Sequence, residues 1–361
     1  MDAEVGVIGA GVVGSAVALA LSRRGVSVLL LEAEDEPGLA ASGTNSGIVH
    51  TGFDSVAGEL ETALILRSGE LRGPVFEALG IPLLRCGALL RPLEDEQRGQ
   101  VAGIAANAAG NGVEARLRGD GALEVPGESV TDPVAYTLAL AGAAVRLGAE
   151  LRTRVRVGSL DHLGCRVVVN CAGLYADEVA RLAGDDSFEI YPRKGEFLVF
   201  EQPPDEQLER ILLPVPTKRT KGVLVFPTLD GKVVAGPTAV DLDDKNDWSV
   251  RPEAADEILP KAIAMWPPLE GARQISVYAG LRPAGRGMNY LIGPSKARPG
   301  LVNVAAIRST GLTASLGIAE RVTQIVGSLG IELGPEQPLE PAPIEQRDLA
   351  WWRRTKEYRA A

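Results

Sequence analysis

The segment Gly9-Ala10-Gly11-Val12-Val13-Gly14, near the start of the chain, constrains the fold more than any other. It follows an apolar run over residues 5–9 that predicts a buried strand, and it opens a predicted helix that ends near Arg24. A second predicted strand, residues 27–31, ends at Glu32. This order of strand, GxGxxG, helix, strand and acid predicts a dinucleotide-binding unit of a doubly wound sheet.

Each glycine of this motif has its own physical task. Gly9 permits a tight turn, Gly11 lets the backbone approach a pyrophosphate, and Gly14 lets the helix pack closely on the strand. The helix N-terminus offers free N–H groups and a positive dipole end to the phosphates. Glu32 is placed to accept hydrogen bonds from an adenosine ribose, and an acid there disfavours a 2′-phosphate and therefore NADP.

The apolar run over residues 5–21 raises one alternative, a secretory segment or a membrane span. Asp2 and Glu4 stand where a secretory segment has basic residues, and no small-residue cleavage site follows. No other stretch is apolar over the roughly 18 residues that a membrane helix needs. We therefore expect a cytoplasmic protein.

The composition excludes one large class of partners. A formal net charge of −10 disfavours nucleic acid, whereas a local basic cluster can still bind a small anion. The three cysteines, Cys86, Cys165 and Cys171, have no metal-ligand spacing, which fits a reducing cytoplasm. The two histidines, His50 and His162, are too few for a His-rich site, and we expect no metal.

The rest of the chain predicts an α/β protein with a β-rich middle. Apolar spacing and end signals predict helices at 58–80, 94–110, 133–147, 253–266 and 311–326, with Asp132 capping the third of these. Strands are predicted at 83–92, 166–170, 195–200, within 222–240, and at 301–306. The β-branched run at 166–170 is typical of a parallel strand buried on both faces. We infer a nucleotide domain assembled from separated segments, with a second domain inserted between them.

The C-terminal tail allows two interpretations. Residues 334–343 are rich in Pro and Glu and predict an extended chain, which leads to Trp351-Trp352-Arg353-Arg354. Paired Trp beside basic residues suits an anchor to a membrane surface or a partner. The segment is short, and we favour the other interpretation, that the Trp side chains pack on the body of the protein.

Several further segments, in order over residues 1–330, carry a resemblance. They are GTNSGIVHTGFD at 43–54, VNCAGLYAD at 169–177, YPRKGE at 191–196, TKGVLV at 220–225, AGLRP at 279–283 and STGLT at 309–313. On these segments the chain resembles the FAD-dependent D-amino-acid-oxidase superfamily, in the branch that holds glycerol-3-phosphate oxidases and dehydrogenases and L-2-hydroxyglutarate oxidases. Segments 190–196 and 220–228 are more similar to the glycerol-3-phosphate type.

This resemblance implies an α/β plus α+β fold, with a Rossmann-like FAD-binding domain and an inserted antiparallel-sheet substrate domain. The FAD-binding domain would be discontinuous, from residues 1–80, 145–187 and 276–332. Residues 81–144 and 188–275 would form the substrate domain, and residues 333–361 the tail. The cofactor would be FAD, held largely without a covalent bond. The residues implied to hold it are Gly9, Gly11, Gly14, Glu32, Thr44, Asn45, Ser46, Val155, Ala172, Gly173, Arg282, Gly311, Leu312 and Thr313.

The resemblance also implies roles for the chemistry of the site. His50 would remove the hydroxyl proton while hydride passes to flavin N5; its alternatives are a loop hydrogen bond or a covalent flavin link. Arg282 would fix an anionic group of the substrate through its planar fork. Lys221 would lie near the reacting centre, unless it is a solvated hairpin lysine. Lys194 and Ser309 are weaker candidates, and His162, in a predicted turn, is expected to be inert.

The function implied is FAD-dependent oxidation of a small anionic 2-hydroxy compound, sn-glycerol 3-phosphate first. The alternatives are an L-2-hydroxyglutarate-type oxidase, an amine oxidase of the glycine or sarcosine kind, and a flavin-binding subunit of a larger complex. The electron acceptor would be oxygen, a quinone or a partner protein. Two departures from relatives stand out, Thr310 in place of a proline and a short connection over residues 157–166.

Overall fold

The computed structural model describes residues 3–217, 221–341 and 350–360. Its strands, in chain order, are β1 Ala3–Ile8, β2 Val28–Leu31, β3 Ile48–Val49, β4 Leu83–Leu84, β5 Ala88–Arg91, β6 Arg116–Leu117, β7 Leu123–Val125, β8 Ser129–Thr131, β9 Glu150–Arg152, β10 Cys165–Asn170, β11 Ile190–Glu201, β12 Ile211–Pro214, β13 Leu224–Pro227, β14 Lys232–Gly236, β15 Val240–Asp241, β16 Gln274–Gly285, β17 Leu291–Pro294 and β18 Leu301–Ala305. Its helices are α1 Val12–Ser22, α2 Leu60–Ala78, α3 Arg98–Gly110, α4 Pro133–Arg146, α5 Ala176–Arg181, α6 Ala254–Met265, α7 Gly311–Ser328 and α8 Trp351–Ala360.

The predicted dinucleotide motif lies in a six-stranded sheet of order β17-β18-β10-β1-β2-β9. All of its neighbouring pairs are parallel except β17 with β18. Val7 of β1 pairs with Leu30 on one side and Val169 on the other, and all three are fully buried. The continuous apolar runs of β1 and β10 are explained by this burial on both faces, and the prediction of a parallel strand at 166–170 is confirmed.

Helices α1, α2, α4 and α7 pack together over the first sheet around a single apolar cluster. Helix α4 begins as predicted, because the Asp132 carboxylate accepts the N–H groups of Val134 and Ala135, and Pro133 takes the first helical position. Its Tyr136 and Leu140 are buried against α1. The predicted substrate domain included residues 81–144 and therefore most of α4. In the structure α4 instead packs in the core of the first sheet.

A second, nine-stranded sheet forms from the middle of the chain. Strands β11 and β16 pair antiparallel along almost their whole length, Ile190 opposite Gly285 and Phe200 opposite Gln274. The sheet is antiparallel, as predicted, except that β5 and β12 run parallel. The β16 strand was not predicted, and most of it lies within residues 276–332, which were assigned to the FAD-binding domain, although it pairs with β11 in this second sheet. Strand β11 extends beyond the predicted 195–200. The predicted strand at 83–92 is two strands, β4 and β5, because Gly87, at φ +66°, turns the chain between them.

The tail runs without regular structure over the described residues 334–341, and α8 then packs on the body. The Trp351 ring lies edge-on to Tyr278, at 5.4 Å between ring centroids, and Trp352 Nε1 donates to Asp230 at 3.3 Å. Both indole rings are buried. The prediction that they pack on the protein is confirmed, and neither ring is available as a membrane anchor. No helix among the described residues is both long and apolar enough to cross a membrane.

Candidate active site

A cleft of about 300 Å³ opens at the carboxyl ends of β1, β2 and β10, where doubly wound sheets bind ligands. We call it the dinucleotide cleft. Of the residues predicted to hold a dinucleotide, its walls contain Gly9, Gly11, Gly14, Glu32, Asn45, Val155, Ala172, Gly173, Gly311 and Leu312.

Two glycines of this cleft, Gly9 and Gly14, occupy places where a side chain would collide with backbone. A Cβ on Gly14 would lie 1.9 Å from the Gly9 carbonyl oxygen, and one on Gly9 would lie 2.5 Å from that of Cys171. Gly9 also has a φ of +98°, which L side chains rarely adopt. Strand β1, its turn and helix α1 are thereby held close together, with the helix N-terminus at the cleft. This cradle fits the pyrophosphate of a dinucleotide.

Glu32 lies at the far end of the cleft, after β2. Its Oε2 accepts the Ala10 N–H at 2.7 Å and its Oε1 accepts the Glu34 N–H at 3.0 Å. Burial raises the pKa of Glu32, and the neighbouring Glu34 carboxylate adds to the rise. The carboxylate is thus fixed at the end of β2, where a ribose is expected.

A second cavity of about 570 Å³, here the His50 cavity, adjoins the cleft at Asn45 and Arg308. The loop after Ala40 and strands β11, β13 and β16 surround it. Of the predicted site residues, Thr44, Asn45, Ser46, His50, Lys221, Arg282 and Ser309 line it. Thr313 lines neither space; its hydroxyl oxygen accepts the His50 N–H at 3.1 Å and so ties α7 to the segment that carries His50.

The His50 ring is held by a carboxylate that the sequence analysis missed. His50 Nδ1 lies 2.8 Å from Oε2 of Glu128, whose side chain is fully buried. Oε1 of Glu128 accepts the N–H of Thr51 at 2.6 Å and its hydroxyl at 2.9 Å. Because a carboxylate only accepts hydrogen bonds, Nδ1 carries the proton, and Nε2 is left as a proton acceptor.

Lys221 is paired with Asp54, another residue to which no role was assigned. Its Nζ lies 2.7 Å from Asp54 Oδ2. Burial opposes the charge on both groups, yet the pKa of Asp54 is lowered by the Lys221 ammonium and by His50, and that of Lys221 is raised by Asp54. Lys221 is therefore held as a cation. Thr220, from the same motif, lies outside the described residues.

Arg282 differs from every other described cation of the cavity. Arg193 binds Asp241 at 2.6 Å, Lys221 binds Asp54, and Arg308 lies 3.7 Å from Glu61. Among the described residues, no carboxylate lies within 4.0 Å of the Arg282 guanidinium, and its Nη2 donates to the Thr238 carbonyl oxygen at 3.5 Å. Burial, together with Arg193, lowers the pKa of Arg282 to about 10, so it remains charged at neutral pH.

Strand β11 shows why Arg193 faces the cavity and Lys194 does not. Successive side chains of a strand point to opposite faces. Arg193 lines the cavity, whereas Lys194 is fully buried on the other face and donates to Asp247 at 2.7 Å. Gly195 makes room for Arg282, since a Cβ there would lie 2.1 Å from Arg282 Nη2.

The threonine that replaces the expected proline is part of a buried hydrogen-bonded chain. Thr310 Oγ1 lies 2.6 Å from Glu61 Oε1 and 2.9 Å from the Tyr290 hydroxyl. Its backbone φ of −94° is unstrained, and α7 starts directly after it. The substitution therefore leaves the N-terminus of α7 intact at the cleft.

Comparison with known proteins agrees with this geometry. The family model DAO, FAD dependent oxidoreductase, matches residues 4–325, from β1 to α7. The glycerol 3-phosphate dehydrogenase of Caloramator mitchellensis is 28% identical over 94% of this chain and 76% of its own. The mitochondrial L-2-hydroxyglutarate dehydrogenase of Mus musculus is 27% identical over 64% of this chain and 60% of its own. The reduced, FAD-bound L-α-glycerophosphate oxidase of Mycoplasma pneumoniae superposes with a TM-score of 0.85, at 25% identity, over 94% of this chain and 98% of its own.

Proposed function

The chain belongs to the DAO family of FAD-dependent oxidoreductases, and we propose that it oxidises sn-glycerol 3-phosphate at its secondary hydroxyl. The Arg282 guanidinium, which has no carboxylate partner among the described residues, carries this proposal. A half-buried planar cation without a counter-ion, lining a cavity, suits the binding of a phosphate or carboxylate. Relatives named for glycerol phosphate, aligned over nearly the whole chain, support the choice.

The dinucleotide cleft would hold FAD. Gly9, Gly11, Gly14 and the N-terminus of α1 would take the pyrophosphate, and Glu32 the ribose. The N-terminus of α7, at Gly311 and Leu312, would lie near the flavin ring, where its dipole favours negative charge. Bound FAD supplies the acceptor for the hydride that leaves the substrate carbon.

His50 would act as the general base. Its Nε2 takes the hydroxyl proton of the substrate as the carbon–hydrogen bond breaks, and the electron pair of the O–H bond becomes part of the new carbonyl. Glu128 fixes the ring through Nδ1 and stabilises the imidazolium that forms. Arg282 holds the anionic group, so that the hydroxyl is presented to His50 in one orientation.

The charge pattern of the cavity also bears on the alternative substrate L-2-hydroxyglutarate. A dicarboxylate needs a second cation, and the other described cations of the cavity lie within 4.0 Å of a carboxylate. An amine substrate has no hydroxyl proton to remove, so its oxidation gives the His50–Glu128 pair no role as a base. Both features favour a hydroxy compound with one anionic group.

Anaerobic mixing of the FAD-loaded protein with candidate substrates tests the proposal without any need to know the electron acceptor. Glycerol 3-phosphate, L-2-hydroxyglutarate and glycine are compared by the loss of the visible flavin absorbance. We expect fast bleaching by glycerol 3-phosphate and slow or no bleaching by the others. Fast bleaching by L-2-hydroxyglutarate or glycine alone would contradict the proposal, as would no bleaching by any of the compounds.

A further inference from the structure

The C-terminal helix α8 contacts the wall of the dinucleotide cleft. Two side chains of α8 donate hydrogen bonds to the carboxylate of Glu34, which follows β2 and lines the cleft. Arg359 Nη2 donates to Oε1 at 3.0 Å and the Tyr358 hydroxyl donates to Oε2 at 3.0 Å. Arg359 also donates to the Leu39 carbonyl oxygen at 3.3 Å, so that one side chain holds both ends of the loop over residues 34–39.

The other end of α8 is anchored on the second sheet. Trp351 packs against Tyr278 of β16, and Tyr278 stacks on Phe197 of β11 at 4.7 Å between ring centroids. Burial of a large side chain of this kind stabilises a packed element by roughly 1.5–3 kcal/mol. The Arg359 guanidinium lies 4.6 Å from the ring centroid of Trp248, which fixes it in a second direction. Helix α8 thus ties the cleft loop to a rigid part of the molecule.

The charges at this end of the cleft give these contacts a consequence for ligand binding. Three carboxylates, those of Glu32, Glu34 and Glu178, line the cleft near the end of β2, where we expect the adenosine of a dinucleotide. The two phosphates of a dinucleotide are also negatively charged. Lys245 pairs with Glu178 at 2.9 Å, and Arg359 pairs with Glu34. Without Arg359, the Glu34 charge would repel both Glu32 and the incoming ligand.

We propose that helix α8 is part of the FAD site, in which Tyr358 and Arg359 orient and neutralise Glu34 and hold residues 34–39 in the conformation that binds the cofactor. They are positioning residues, since they act on the ligand through Glu34 and the loop. This inference concerns cofactor retention and does not depend on which substrate the enzyme oxidises.

The test measures the affinity of the apoprotein for FAD, by quenching of flavin fluorescence, in Arg359→Ala. A charge-assisted hydrogen bond contributes roughly 1.5–3 kcal/mol, so we expect FAD to bind about 10-fold or more weakly. Arg353→Ala is the matched control, because Arg353 lies on the same helix, is exposed, and pairs with Glu357 one turn away and with no other carboxylate among the described residues. The control should bind FAD like the wild type.

A second substitution separates neutralisation of Glu34 from simple loss of the helix. Glu34→Gln removes the charge that Arg359 balances, so it should restore much of the FAD affinity when it is combined with Arg359→Ala. Equal FAD affinity in Arg359→Ala and Arg353→Ala, or no recovery in the double variant, would overturn the proposal. If Arg359→Ala does not fold, as judged by circular dichroism of the apoprotein, Tyr358→Phe removes the neighbouring hydrogen bond alone and is compared with the same control by the same criterion.

Discussion

The dinucleotide cleft and the His50 cavity adjoin each other, yet they are built by different means. The phosphate-binding part predicted for the cleft is backbone, with three glycines that a single continuous motif supplies and with the N-termini of α1 and α7 at the cleft. The cavity is formed by side chains, and His50, Glu128, Arg193, Lys221 and Arg282 come from widely separated parts of the chain. A cofactor site can therefore be encoded locally, whereas the substrate site depends on the register and packing of the second sheet.

The two regions also treat charge differently. In the cavity most charged groups already have partners, such as Asp54 with Lys221 and Arg193 with Asp241, and Arg282 alone among its described Arg and Lys residues has no carboxylate within 4.0 Å. Paired charges shape the cavity without attracting an anion. The one cation without a carboxylate partner, Arg282, is where we propose that the anionic end of the substrate binds.

The largest expected effect tests the chemistry of the cavity. His50→Ala should slow flavin reduction by substrate by about 10²–10⁴-fold, because the hydroxyl proton loses its acceptor. His162→Ala is the matched control, since His162 is exposed and lines neither space. Rapid-mixing measurements under anaerobic conditions report the rate. A His50→Ala enzyme reduced as fast as the control would remove His50 from the role of base.

The next prediction concerns the buried charges behind the second sheet. Glu196 of β11 is fully buried and pairs with Arg251 at 2.7 Å. Arg251→Ala leaves that carboxylate without its partner, and we expect the free energy of unfolding to fall by about 3 kcal/mol at neutral pH. Arg273→Ala, which removes an exposed guanidinium paired with Glu201, is the control and should change stability little. Denaturant unfolding measures both.

The same pair predicts how this difference depends on pH. Burial would raise the pKa of Glu196, but its hydrogen bonds with Arg251 lower it below its usual value near 4.5. A lowered folded-state pKa contributes stability that is complete above the unfolded value and is lost as pH falls through the folded one. The gap between wild type and Arg251→Ala should therefore shrink below about pH 4.5. A gap that stays constant into acid would contradict the assignment.

A glycine substitution tests the backbone construction of the cleft. Gly14→Ala would put a Cβ 1.9 Å from the Gly9 carbonyl oxygen, so the turn must open and move the N–H groups that we propose bind the pyrophosphate. Hydrogen bonds to charged groups contribute roughly 1.5–3 kcal/mol each, so FAD affinity should fall on the order of 100-fold. Gly69→Ala in α2, where a Cβ meets no atom within 4 Å, is the control. Fluorescence titration with FAD would contradict the account if both variants bound it alike.

The difference between the two regions explains how much the sequence could predict. The motif from Gly9 to Gly14 and the Asp132 cap are each local signals of a few residues, and Glu32 ends the next predicted strand. The structure contains each element that they predict. The alternation of side chains along β11, which puts Arg193 and Lys194 on opposite faces, follows from the sequence only if the strand begins at Ile190. The predicted strand began at residue 195 and left both residues out.

Other features had no local signal. Glu128 meets His50 from 78 residues away, and nothing around it in the chain distinguishes it from a turn residue. Strand β16 contains Pro283 and two glycines, which hide a strand pattern, and it is held by pairing with β11. The assignment of α4 to the substrate domain was wrong for a related reason. The apolar face of a helix does not indicate which of two sheets it packs on. These assignments depend on long-range packing.

Arg282→Ala, measured for both ligands, tests the central claim most directly. If cofactor and substrate are held by separate means, the substrate concentration that half-saturates anaerobic flavin reduction should rise by about 10–150-fold, the equivalent of roughly 1.5–3 kcal/mol. The affinity for FAD should stay at the wild-type value. An unchanged saturation curve for glycerol 3-phosphate, or a parallel loss of FAD, would contradict the account.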